Sequence, residues 1–212
     1  MTDETQDARR FSPPAQRNRE PIAGILRKVL PQTGTVLHIA EGSGEHVVHF
    51  AKSFPHLTFQ PSDPDPQALE SIAAWIAHQA AHEVAHSGAA NILAPLQLDA
   101  SSGHWPLSSA SAVICINMIH ISPWAATEGL MRGAARILEG GSPLFLYGPY
   151  KQEGRHTAPS NEAFDQSLRQ RNGEWGIRDL ADVAACARSN GFGAPEVFEM
   201  PANNLGMVFK KA

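Results

Sequence analysis

The stretch Thr35-Val36-Leu37-His38-Ile39-Ala40-Glu41-Gly42-Ser43-Gly44-Glu45-His46 constrains the fold more than any other. A short apolar run ends in a turn with two glycines, and a helical pattern begins at once. Continuous apolarity over 35–39 reads as a strand buried on both faces, which is a strand of a parallel sheet. Glycines at 42 and 44 permit a tight turn and close approach of a ligand to bare backbone. The following helix presents unpaired N–H groups at its first turn.

The pattern repeats along the chain. Helical spacing over 20–30, with Pro21 suited to a first turn, precedes that strand. Further strands are expected at 57–60, 92–98, 112–117 and 143–147. Helices are expected at 45–53, from Pro66 towards His86, and at 124–138. Helical patterns return at 162–171 and 179–189. Strand-like runs at 197–200 and 205–209 follow, close enough to form an antiparallel hairpin. Alternating strand and helix implies an α/β fold with a mostly parallel sheet covered on both faces. Residues 1–20 read as an N-terminal segment or lid, and 21–212 as a single domain.

Charge and cysteine content narrow the function classes. The net charge is −4 and no run of Lys and Arg stands out, which argues against nucleic acid as a partner. Two cysteines, Cys115 and Cys186, do not make a disulfide framework. No apolar run approaches the roughly 20 residues of a bilayer span, and the first residues are polar, so a cytoplasmic protein without membrane contact is expected.

In an open parallel sheet a ligand binds beyond the carboxyl ends of the strands. A dinucleotide fits poorly here. The three-glycine fingerprint fails, because Gly42-Ser43-Gly44 is followed by Glu45-His46-Val47. Glu41 and Glu45 would also repel a pyrophosphate. A ligand with a cationic amino-acid end and no phosphate suits the turn better, and S-adenosylmethionine is such a ligand. Nineteen residues after Gly44 stands Asp63, where an acid can accept hydrogen bonds from ribose hydroxyls; Asp63 and Asp65 also suit turn and capping roles beside Pro64 and Pro66. Asp99 follows the third strand, within reach of an adenine amino group, or is a solvated loop acid. Asn117 and His120 follow the fourth strand, where a methyl acceptor would sit.

Taken together, these residues resemble the class I S-adenosylmethionine-dependent methyltransferases. More narrowly, the chain resembles a methyltransferase-like family known as domain of unknown function 938. The resemblance rests on Phe11-Ser12-Pro13-Pro14-Ala15-Gln16-Arg17-Asn18-Arg19, Gly42-Ser43-Gly44-Glu45-His46, Gln60-Pro61-Ser62-Asp63 and Asn117-Met118-Ile119-His120-Ile121-Ser122-Pro123-Trp124. It continues in Tyr147-Gly148-Pro149-Tyr150, Ser160-Asn161-Glu162-Ala163-Phe164-Asp165 and Met200-Pro201-Ala202-Asn203-Asn204. It implies a Rossmann-like seven-stranded sheet with the last strand antiparallel. It implies S-adenosylmethionine as cofactor, held by Gly42, Gly44, Asp63 and Asp99. Glu41, Asn117, Arg17 and Asn18 join them as candidate cofactor contacts, Arg17 and Asn18 from a leader folded over the pocket. The chain departs from the wider class at His38, where the class has an acid, and at Ala40, where it has glycine.

Methyl transfer from a sulfonium is a displacement that needs in-line positioning, and a general base only when the acceptor is protonated. His120 is the first candidate for that base, and Tyr150 is a candidate for orienting the acceptor. His120 also reads as a pocket-lining or helix-capping histidine, and Tyr150 as a packing aromatic. The sequence therefore points to a methyltransferase of a small-molecule acceptor, acting as a monomer or dimer without a metal. A non-catalytic cofactor-binding scaffold is the alternative, and a nucleotide-dependent oxidoreductase comes third. His78, His82 and His86 recur at helical spacing, which more often marks a solvated helix face than a metal site.

Overall fold

The computed structural model describes residues 7–82 and 91–212, with the side chain of His82 excepted. Among them, the main sheet has seven strands in the order β3-β2-β1-β4-β5-β9-β8. They are β1 (Thr35–Ile39), β2 (Thr58–Asp63), β3 (Leu96–Gln97), β4 (Ala112–Ile116), β5 (Pro143–Gly148), β8 (Glu196–Met200) and β9 (Asn204–Lys210). A small hairpin, β6 (Lys151–Gln152) and β7 (Arg155–His156), stands apart. Neighbours from β3 to β5 run parallel, whereas β9 is antiparallel to both β5 and β8. The topology is the Rossmann-like seven-stranded sheet that the resemblance implies, with the last strand reversed.

Strand side chains alternate between two cores, as a pleated strand requires. On β4, Ala112, Ile114 and Ile116 enter one core; Val113 and Cys115 enter the other. The first core lies under helices α1 (Pro13–Val29), α2 (Glu45–Ser53) and α3 (Pro66–His82). The second lies under α4 (Trp124–Ile137) and α6 (Leu180–Ser189). Helix α5 (Pro159–Arg171) sits beyond the carboxyl ends of the strands with the β6–β7 hairpin, tied together by Asp165. That buried carboxylate meets Lys151 at 3.0 Å, His156 at 3.3 Å, Arg169 at 3.3 Å and the Ile177 amide at 2.7 Å. Burial opposes its ionisation, but these donors hold it below the ordinary carboxylate range.

Three expectations are corrected. Helix α1 begins at Pro13 and carries Pro21 inside it, so the boundary at 20/21 falls within a continuous helix. Ser12 caps it, its hydroxyl accepting from the Ala15 amide. The third strand is only two residues long, with Ile92 contributing an isolated bridge to Phe59; Pro95 denies the run an amide donor that a full strand needs. The β6–β7 hairpin falls within residues 151–160, whose Gly, Pro, His and Ser content reads in the sequence as a loop. The end of the Ala-rich helix towards His86 lies outside the described residues.

Candidate functional site

The backbone reverses between β1 and α2 through Ala40 at φ 52°, Gly42 at φ 73° and Gly44 at φ 100°. Gly42 faces open space, with nothing within 4 Å of where a side chain would begin. Gly44 has a different reason. A Cβ there would come within 2.9 Å of the Ile72 backbone and 3.2 Å of the Trp75 ring, so this glycine lets α3 pack on the start of α2.

Asp63 closes the turn from β2. Its carboxylate accepts from the Gly42 amide at 2.9 Å and from the Asp65 amide at 3.0 Å. The residue is 6% exposed. Burial raises its pKa, against the pull of the two amides. Each oxygen keeps a second lone pair, which is what a ribose diol needs.

Glu41 is not beside this opening. Its carboxylate is fully buried, accepting from the Val47 amide at 3.0 Å and pairing with His38 Nδ1. Burial opposes its charge, but His38, His46 and the amide hold its pKa below the usual range. His38, the departure from the class, is thus matched by an acid three residues on. Beside them His46 is also buried, its Nε2 2.7 Å from Asn18 Oδ1, and burial drives its pKa down to about 4.

The leader is fastened across this turn. Glu45 accepts from the Ser12 amide and from Gln16 Nε2, and Ser43 bonds the same carboxylate. The Arg10 amide donates to Ser71, whose hydroxyl donates to the Ser43 carbonyl at 2.6 Å. Trp75 Nε1 donates to the Arg10 carbonyl, and Phe11 meets the Trp75 ring edge-on at 5.2 Å.

From there α1 carries Arg17 and Asn18 to a cavity of about 450 Å³ over the ends of β4, β5 and β9. Asn117, Tyr147, Phe164, Asn203 and Asn204 line it with them. The Tyr147 hydroxyl bonds Asn18, and burial raises its pKa against that bond and the charge of Arg17. Asn117 takes a left-handed conformation, φ 62°, just after β4.

His120 and Tyr150 are brought together, but not in this cavity. Both are 0% exposed, with ring centroids 4.9 Å apart. His120 Nδ1 accepts from the Arg178 amide at 3.4 Å, and its Nε2 lies against Gly148. Arg178 also braces the turn by donating to the Ile119 and Ser122 carbonyls. Burial, with the nearby Arg178 charge, pushes the His120 pKa down to about 3. Burial also raises Tyr150 well above its ordinary value. Asp99 is exposed at the edge of the sheet, its Oδ1 bound to the Ser101 amide at 2.8 Å and hydroxyl at 2.7 Å.

Sequence reasoning did not single out Glu45, Tyr147 or Phe164 as site residues. Glu45 read only as a charge that would repel a pyrophosphate, Tyr147 as part of the fifth strand, and Phe164 only within a stretch that carries the resemblance. Among the described residues no group of three His, Cys, Asp or Glu side chains converges as a metal site would require. No helix among them is long and apolar enough to cross a membrane.

Solved structures with the same fold are S-adenosylmethionine-dependent methyltransferases. An O-methyltransferase family protein from Burkholderia thailandensis matches with a TM-score of 0.76 at 14% identity, over 93% of this chain and 56% of that one. Human N-acetylserotonin methyltransferase, in complex with SAM, matches at 0.72 and 14%, over 93% and 52%. PigF, solved with SAH, matches at 0.75 and 16%, over 93% and 56%. The chain spans little more than half the length of these proteins, and at such identities the likeness establishes the fold. The sequence profile described as "Protein of unknown function (DUF938)" matches residues 9–211, and the chain belongs to that family.

Proposed function

We propose that this chain binds S-adenosylmethionine and transfers its methyl group to a small-molecule acceptor. The observation that carries the reading is the pairing of Gly42 and Asp63: bare backbone facing open space, beside a nearly buried carboxylate with spare lone pairs at the end of β2. These residues fit the cofactor. Gly42 would allow its close approach, Asp63 would receive the ribose hydroxyls, and Asp99 Oδ2 would face the adenine end. Asn117 would stand between cofactor and acceptor, since β4 adjoins β1 and Asn117 lines the cavity. When bound, the cofactor supplies a methyl group on a positively charged sulfur.

The chain's own contribution is to position and to exclude water. His120, sealed and neutral, holds the turn after β4 rather than a proton in transit. Among the described residues lining the cavity there is no His, Asp, Glu, Lys or Cys. An acceptor atom with a lone pair available at neutral pH suits such a wall. A cavity of about 450 Å³ takes a small molecule, not a nucleic acid or a membrane surface.

Calorimetric titration of the purified protein with S-adenosylmethionine and with S-adenosylhomocysteine tests the reading. Saturable one-site binding of both, weakened at least about tenfold in Asp63→Asn, supports it; a folded protein that binds neither ends it. The burial of His120 and Tyr150 favours a second reading, a cofactor-binding scaffold without turnover. Methylation of any acceptor eliminates that one.

A further inference from the structure

Arg17 is the sole charged side chain among the described residues lining the 450 Å³ cavity. It is exposed, and it forms no ion pair among the described residues. The nearby acids are committed elsewhere. Glu20, on the same helix, pairs with Arg27 at 3.0 Å and His49 at 3.1 Å. Glu45 is taken by the leader. Asp165, next to Phe164 on α5, is held by Lys151, His156 and Arg169. A guanidinium with no ion-pair partner among the described residues, beside apolar walls of Pro14, Pro21, Pro149 and Phe164, attracts an anion attached to an apolar body.

The cavity wall is also preset. Of the five non-glycine residues with positive φ among the described residues, Asn117, Ala202 and Asn203 line this cavity. Left-handed backbone at residues other than glycine is uncommon and gathers where a site is shaped for a ligand. Asn161 Nδ2 donates to the Asn203 carbonyl at 2.9 Å, pinning the 201–204 turn against α5.

We infer that the acceptor is a small organic acid, and that Arg17 anchors its carboxylate at a distance from the atom that receives the methyl group. This rests on the reading above and assigns Arg17 to the acceptor rather than to the cofactor, where its position in the leader had placed it. Neither Gly42 nor Asp63 lines the cavity, which lies over β4, β5 and β9, whereas the cofactor residues stand at β1 and β2. Anchoring at a distance follows from electrostatics. An arginine paired with the reacting oxygen would lose its partner's charge as the methyl arrives, stabilising the reactant over the transition state. Held elsewhere on the acceptor, the charge pair persists through the reaction.

The test is binding, measured with S-adenosylhomocysteine present and absent. The probes are 4-hydroxycinnamate and octanoate, each against its neutral amide, on wild type, Arg17→Gln and Arg17→Lys of matched melting temperature. The expected result is at least one acid bound about tenfold more tightly than its amide. The preference vanishes in Arg17→Gln and partly returns in Arg17→Lys, with S-adenosylhomocysteine affinity unchanged. Equal binding of acid and amide, binding of neither acid, or a preference that survives Arg17→Gln overturns the inference. So does a loss of S-adenosylhomocysteine affinity in Arg17→Gln, which would return Arg17 to the cofactor. Acid binding that depends on Arg17 in a protein blind to S-adenosylhomocysteine would instead defeat the methyltransferase reading and leave the anion site standing.

Discussion

Asp63 holds two backbone amides and faces the opening above Gly42, so its replacements separate two roles. Asp63→Ala orphans both amides, at about 1–3 kcal/mol for each buried one. Asp63→Asn keeps a carbonyl oxygen for one amide and removes the charge-assisted acceptor. It is expected to keep most of the stability while weakening S-adenosylhomocysteine at least about tenfold, read by melting and calorimetry together. Two buried histidines, His46 and His120, have folded-state pKa values pushed down to about 4 and about 3. Below about pH 6.5 the unfolded chain binds protons that the folded one refuses, so stability falls as pH falls through that window towards the folded values. Each contributes about 2 kcal/mol of lost stability by pH 5. Denaturant midpoints taken from pH 7.5 to 5 should drop, and His46→Gln should flatten the slope. A midpoint indifferent to pH over that range would contradict the burial of these rings.

At the scale of elements, Glu45 and two glycines of α4 do the fastening. Glu45→Ala frees the Ser12 amide, Gln16 and Ser43 at once. The expected outcome is trypsin cleavage at Arg9, Arg10 or Arg17 many times faster than in wild type, while the sheet stays folded. On α4, Gly129 and Gly133 stand one turn apart, and any side chain there would overlap Ala100 and Trp105. Gly133→Ala gains helix propensity of about 1 kcal/mol but must displace an indole that is 3% exposed. The net effect is expected to be destabilising by about 1–3 kcal/mol in urea unfolding. These glycines show how legible the elements were. Apolar runs such as 112–116 announced strands because a doubly covered strand has no other composition. Where backbone met backbone, as at Gly44, the same residue type carried a packing role that reads in sequence like a ligand-binding one. Ser12-Pro13-Pro14 reads as a turn or a helix entry and Pro21 also suits a first helical turn, so the start of α1 was legible only as one of two places.

At the scale of the molecule, the two cores followed from the alternation of strand and helix, since a parallel sheet needs helices on both faces, whereas the seven strands with the last reversed came from the family resemblance. The proposed cofactor half of the site is legible on the same ground: Gly42 and Asp63 lie on consecutive strand ends, where such sheets place their ligands. The proposed acceptor half is not. It joins α1, the ends of β4 and β5, the start of α5 and the 201–204 turn, and no periodicity links segments so far apart in sequence.

That span sets the order in which a growing chain acquires its parts. Gly42 and Asp63 precede the whole far wall of the cavity in the chain, and the wall opposite Arg17 is complete only when β9 has been made and laid antiparallel against β5. On the proposed reading, a chain emerging from the ribosome therefore carries Gly42 and Asp63 long before it can enclose an acceptor. Contacts that close so large a loop form late, because the loop's entropy must first be overcome. Arg17 thus waits for β9, and on the proposed reading a chain that stops short of β9 would hold the reagent side of a reaction with no place for its other partner.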